Sequence, residues 1–264
     1  MGSMSREALG SARSTLADLG GAADLTTGEQ VLDAGRVIGG NVQLQAYFAD
    51  PAVDAATKKQ LVDRVFGAFT EPARALVLSV VGRRWSSKRD LLAGMEEIGI
   101  RVVASTIPDG STIANELFAF DAAVRSDSSL ELAIGTKLSD PEAKAGLVQR
   151  LLGGRASEQT NTIVSHLVRQ PRGRRIGELL RTAAEIVSDQ SDQLVATVTT
   201  ARVLDDAHAA RLEQGLSRQF GRSLRINQVV DPAVIGGLRV QVGDEVIDGT
   251  VATKLSALRL QLAG

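Results

Sequence analysis

From Ala8 to Ile186 the apolar residues recur at the three-to-four spacing that puts them on one face of a helix. Ala8, Leu9, Ala12, Leu16 and Leu19 share a face between Ser5 and Leu19, and Gly20-Gly21 stops that helix. Thr26-Thr27-Gly28-Glu29 has the form of a capping box and opens a second helix, which ends at Gly39-Gly40. A short third helix covers Val42 to Ala49. Asp54 caps a fourth, with Leu61, Val62, Val65, Phe66 and Phe69, and Pro72 stands near the start of a fifth, with Leu76, Val77, Val80 and Val81. After the basic run Arg83 to Arg89, a long sixth helix places Leu91, Leu92, Met95, Ile98, Val102 and Val103 on one side. Pro108-Asp109-Gly110 is a turn signal, so residues 1–108 read as a six-helix bundle.

Residues 109–191 repeat that pattern. A shift of 86 positions superimposes Leu44 on Leu130, Asp54 on Asp140, Lys58 on Lys144, Gly67 on Gly153, Arg83 on Arg169 and Arg89 on Arg175. A further two-residue shift aligns Leu91-Leu92 with Leu179-Leu180. Amphipathic helices resemble one another by composition, but here the capping Asp, the stop Gly and the basic turn recur in register. The expectation is a second, related helical module.

At Gln193 the period changes from helical to alternating. Leu194, Ala196 and Val198 alternate with Val195, Thr197 and Thr199 in a β-branched strand. Asp205 or Asp206 then caps a helix with Ala209, Leu212, Leu216 and Phe220, ended by Gly221, and Leu224, Ile226 and Val230 form the next strand. Leu238, Val240 and Val242 alternate with Arg239 and Gln241, Gly243-Asp244 interrupts, and Glu245 to Asp248 resumes, which reads as a hairpin. Thr250 begins a helix with Val251, Leu255, Leu258 and Leu262 on one face. Residues 192–264 are therefore a β-α-β-β-α unit, and the whole chain is mainly α with a small α+β C-terminal unit.

Composition adds limits more than positive signals. Aromatic residues make up 3% of the 264, so the cores are aliphatic, and 30 basic against 31 acidic residues give no general pull toward nucleic acid or anionic lipid. With no cysteine, disulfides and thiolate chemistry are excluded. The longest apolar run, Ala75 to Gly82, is far shorter than the ~20 residues that cross a bilayer, so no direct membrane insertion is expected. Met1-Gly2-Ser3-Met4 is followed by no apolar signal core.

Candidate chemistry is sparse. The glycines near the C-terminus follow neither phosphate-binding pattern and read as turns. Asp244, Glu245 and Asp248 are too few and too local for a metal cage, and no metal or cofactor is expected. His166 and His208 lie on different helices, His208 on a solvated first turn. The basic runs Arg83 to Arg89 and Arg169 to Arg175 read as solvated turns, since only Trp85 accompanies them, and Trp85 reads as a packing anchor. No catalytic residue stands out.

One resemblance is specific. Asp231-Pro232, Ile235-Gly236-Gly237, Val240, Val242-Gly243-Asp244, Val246-Ile247-Asp248-Gly249 and Leu255 resemble the C-terminal signature of the delta subunit of F-type ATP synthases, whose mitochondrial relative is the oligomycin-sensitivity-conferring protein. The likeness is close over the C-terminal third and looser over the helices. It implies a non-catalytic stator subunit on the cytoplasmic face of the bacterial plasma membrane. In that family the helical bundle grips the alpha subunits of the catalytic head and the C-terminal unit binds the b-type stalk subunits. The family's groove between the first and fifth helices corresponds, by helix order, to Leu9, Ala12, Leu16, Leu76 and Val80. Two helical modules instead of one depart from the family's usual form and leave open which of them meets the head. The alternatives are a generic helical-repeat scaffold with a C-terminal dimerisation or regulatory domain, and an enzyme with a site between modules.

Overall fold

The computed structural model describes residues 1–107, 110–136, 139–191, 194–221, 224–242, 245–251 and 253. They fall into two compact units, Met1–Gln190 and Ser191–Gly264. The boundary expected after residue 108 falls inside the first unit.

The first unit is helical: α1 (Ser3–Leu19), α2 (Leu25–Gly40), α3 (Val42–Ala49), α4 (Ala55–Val65), α5 (Glu71–Val81), α6 (Lys88–Ser105), α7 (Ser111–Ser126), α8 (Ser128–Gly135), α9 (Pro141–Leu152), α10 (Glu158–Arg169) and α11 (Ile176–Gln190). Most starts follow the expected caps, with the Asp54 carboxylate accepting from Thr57 N at 2.9 Å. The capping-box reading of α2 is corrected. Asp24 is its N-cap and accepts from Thr27 N at 2.8 Å, because a carboxylate one residue before the helix satisfies the free N–H groups better than a threonine already inside it.

Residues related by the shift make similar hydrogen bonds, some to partners one or two positions out of register. Asn41 accepts from the backbone N–H groups of Gln43 and Leu44, and Asp127 from those of Ser129 and Leu130. Gln30 Oε1 accepts from Thr70 N at 2.8 Å, and Glu116 accepts from Ser157 N at 3.0 Å. Lys58 Nζ donates to the Phe48 carbonyl, and Lys144 Nζ to the Thr136 carbonyl.

Two hydrophobic cores fill this unit, and α6 feeds both. Leu91, Met95, Ile98 and Val102 enter the core built with α1 to α5. Ile100, Val103 and Ala104 enter the core built with α7 to α11. α6 is apolar on more than one side, so the one-sided reading of it is corrected: Leu91 and Met95 enter one core and Val103 the other. Close approach here depends on glycine. A Cβ on Gly99 would lie 2.5 Å from Leu32 Cδ2, and Leu32 is itself buried. Gly99→Ala, which would gain about 1 kcal/mol in an exposed helix, is expected to destabilise by about 1–2 kcal/mol in urea unfolding.

The second unit has β1 (Leu194–Thr200), α12 (Asp206–Phe220), β2 (Leu224–Val230), β3 (Leu238–Val242) and β4 (Glu245–Asp248), in sheet order β2-β1-β3-β4. β1 and β2 are parallel, joined by the α12 crossover, and β3 runs antiparallel to both β1 and β4. Among the described residues the sheet has four strands, the two expected on either side of α12 and the two of the expected hairpin. Ala196, Val198, Leu216, Leu224, Val240 and Val242 form the core. Asp205 caps α12 and Gly221 ends it at φ 66. The expected C-terminal helix lies outside the described residues beyond Val251 and Thr253.

Candidate docking surfaces

α1 packs along α5 and α6 through a face of small and aliphatic residues. The five residues expected to line a partner groove are the inside of that contact. Leu9 and Leu16 are nearly buried, and Ala12, Leu76 and Val80 are wholly so. In the free chain they join α1 to α5, since the apolar side chains of each amphipathic face go to the core. What remains open is the rim of the seam. On α1, Ser11 and Thr15 are half-buried at i and i+4; on α5, Pro72, Ala75 and Ser79 are half-buried along one edge. These side chains are small, so another helix can approach the seam closely.

Between the cores lies a charged cluster that periodicity does not reveal. Glu96, 6% exposed in its side chain, pairs with Arg172 at 2.6 Å and Arg174 at 2.8 Å. Burial pushes its pKa up, but His166, Arg174 and Arg172 together hold it down at about 2. Of these the guanidinium groups dominate, because His166 Nε2, at 3.8 Å, is beyond hydrogen-bonding distance. Arg172 is held at φ 50, a conformation that costs a non-glycine residue about 1 kcal/mol, and its ion pair holds it there. Lower on α6, Arg101 pairs with Glu97 at 2.9 Å and Asp189 at 2.7 Å, and Arg13 of α1 also reaches Glu97.

The two basic runs therefore differ. Arg83, Arg84, Lys88 and Arg89 are exposed, as expected. In the second run Arg172 and Arg174 turn inward to Glu96, which corrects the reading of that run as a solvated turn; only a paired acid on another helix could have signalled it. Trp85 is the expected anchor, donating from Nε1 to the Val80 carbonyl at 2.8 Å while its ring covers Gly94.

The signature residues of the second unit build turns. Asp231 N donates to Thr200 O at 2.9 Å, and its carboxylate accepts from Ala233 N at 2.9 Å; Pro232 stands exposed between them. Gly237, at φ 79, lies so close to the Gly249 carbonyl that a Cβ would collide with it, and Gly236 O accepts from Val251 N at 3.0 Å. Asp248 accepts from Thr250 N at 3.0 Å, and that backbone bond, with bonds from the Thr250 and Thr253 hydroxyls, holds its carboxyl below the usual range. Ile235 projects 85% exposed. Gly243, Asp244 and Leu255 lie outside the described residues.

Among the described residues no three His, Cys, Asp or Glu side chains are placed to hold a metal. His208 is exposed beside its cap Asp205, as expected, whereas His166 is buried against Glu96. No described helix is long and apolar enough to cross a membrane.

The chain is similar to proteins of one family. Residues 103–262 match the family model described as ATP synthase delta (OSCP) subunit. A protein of Leifsonia xyli named ATP synthase subunit delta is 52% identical over 264 residues, all of both chains. One of Streptomyces griseus with the same name is 35% identical over 271 residues, again all of both chains. A third, from Streptomyces avermitilis, is 39% identical over 84% of this chain and 83% of that one. The family model takes in the end of α6, the second set of helices and the sheet, and the full-length relatives extend the likeness over α1 to α5. The chain belongs to the ATP synthase delta (OSCP) subunit family.

Proposed function

We propose that this chain is the joint of the stator, gripping the alpha subunits of the catalytic head with its helical unit and the b-type stalk subunits with its C-terminal unit. As a delta subunit it is a peripheral-stalk component of an F-type ATP synthase. In this reading it transmits force and catalyses nothing: it resists rotor torque so that proton flow drives ATP synthesis, on the cytoplasmic face of a bacterial plasma membrane. It is held there through the complex, and nucleic acid has no part in it.

The observation that carries the head contact is the open α1/α5 seam, rimmed by Ser11, Thr15, Ala75 and Ser79. The similar hydrogen bonds of α2 to α5 and α7 to α10 support an internal duplication that lengthens the joint. A joint under torque needs stiffness, and the ion pairs of Glu96 and Arg101 tie α6 to α11 and to the turn before it.

Calorimetric titration of the intact chain with a peptide from the N-terminus of the cognate alpha subunit tests this. Saturable heat is expected, together with a higher thermal midpoint, since a ligand of the native state stabilises it. A scrambled peptide should do neither. If the authentic peptide behaves like the scrambled one, the proposed head contact is lost.

A further inference from the structure

One corner of the helical unit is built twice, and an aromatic ring fills it only once. In the first set of helices Trp85, between α5 and α6, joins the same core as Phe48 of α3, Val81 of α5 and Leu91 of α6. The indole is 8% exposed and is held by its bond to the Val80 carbonyl, with its ring against Gly94.

In the second set the corresponding corner, between α8, the end of α10 and the start of α11, is a cleft of about 750 Å³, a size ordinary for a binding cleft. Its apolar lining includes Ile134, Leu167 and Leu179, all buried, which are the counterparts of Phe48, Val81 and Leu91. The counterpart of Trp85 is Pro171 at the shift of 86, and Gly173 two residues later; both line the cleft, and neither carries a ring of that size. Thr182 stands in the place of Gly94, which alone leaves room for the indole in the first set.

The mouth of the cleft combines an apolar edge with positive charge. Leu132, where the first set has Ala46, stands 70% exposed on the lining. Arg174 and Arg175 face one carboxylate on that lining, Glu131. Arg174 is engaged by Glu96, whereas Arg175 is exposed and has no carboxylate partner among the described residues.

We propose that this cleft receives an aromatic side chain from a partner polypeptide, with acidic residues beside the ring facing Arg175. The class of occupant follows from the chain itself, which supplies a ring of its own at the equivalent corner. The acidic neighbours follow from the uncompensated guanidinium at the mouth. Leu132 extends the apolar surface beyond the cleft, where a polypeptide covers it and a free aromatic acid does not. The site is independent of the head and stalk contacts proposed above.

The test is an NMR titration of the intact, methyl-labelled chain with the peptide acetyl-Asp-Glu-Trp-Glu-Asp-amide. The methyl groups of Leu132, Ile134 and Leu179 should shift together and saturate, with a Kd on the order of a millimolar or tighter. Alanine in place of the peptide's tryptophan should weaken binding about tenfold or more, and lysines in place of its acids about fivefold. Indole-3-propionate, the free aromatic acid, should bind about tenfold more weakly than the peptide. Pro171→Trp combined with Thr182→Gly, which rebuilds the first-set corner from within, should abolish binding. Leu132→Asp should weaken it about tenfold, and because Leu132 is exposed this variant keeps the test open if the double variant fails to fold in a thermal melt. Shifts that do not saturate below about 10 mM peptide, that persist with the alanine peptide, or that centre away from the cleft would overturn the proposal. Undiminished binding to either folded variant, or equal affinity for indole-3-propionate, would overturn it as well.

Discussion

Glu96→Gln should lower the unfolding free energy by about 3 kcal/mol at neutral pH, a large share of the stability of an ordinary domain. The substitution keeps the volume and removes the charge, leaving Arg172 and Arg174 facing each other with no carboxylate between them. Breaking a buried ion pair by removing one partner costs about 3–5 kcal/mol. The depression of its pKa from 4.5 to about 2 has the same sign and order, roughly 3 kcal/mol. For a carboxyl whose folded pKa is depressed, the stabilisation is present above the unfolded value and lost as pH falls through the folded one. The difference between the two proteins is therefore full above about pH 5, roughly halved near pH 3 and gone below about pH 2. Urea unfolding of both proteins across that range is the measurement. A pH-independent difference would mean that packing, not charge, makes Glu96 matter.

Lys58→Met should cost about 2 kcal/mol, by another route. The ammonium of Lys58 is buried and donates to the Phe48 carbonyl at 2.8 Å and the Val81 carbonyl at 3.0 Å, where α3 and α5 end. A cation at two helix C-termini satisfies carbonyls that have no partner in their own helices and meets the negative end of both dipoles. Burial pushes the Lys58 pKa down and Asp50 opposes that. Methionine keeps the aliphatic stem but leaves both carbonyls without this donor. Lys144→Met, which removes the bond to the Thr136 carbonyl, should cost less, about 1 kcal/mol. Guanidinium unfolding of both variants checks the order. A neutral or stabilising Lys58→Met would show that desolvation of the ammonium outweighs its hydrogen bonds.

Much of the architecture was legible in the chain because it is written in local terms. Helices α3 and α5, the Asp54 and Asp205 caps, the stop at Gly221 and the alternation of β3 follow from spacing and backbone chemistry within a few residues. The caps that recur at the 86-position shift, Asn41 with Asp127 and Asp54 with Asp140, were legible for the same reason. The candidate site was harder to read. Helix order led to α1 and α5, but it named the residues that close the seam, because the strongest apolar signal in an amphipathic helix marks its buried face. The rim residues Ser11, Ala75 and Ser79 carry no signal of their own.

By itself the sequence determined the helix count of the first bundle, the change to a sheet after residue 191, the turn-forming role of the glycines near the C-terminus and, through their signature, the family. Only the tertiary structure decided that one helix serves two cores and that Glu96 holds Arg172 and Arg174. Hydrophobic periodicity says that a face is buried, not against what. Partners far apart in the chain are chosen by shape and charge, which arise only when the elements pack.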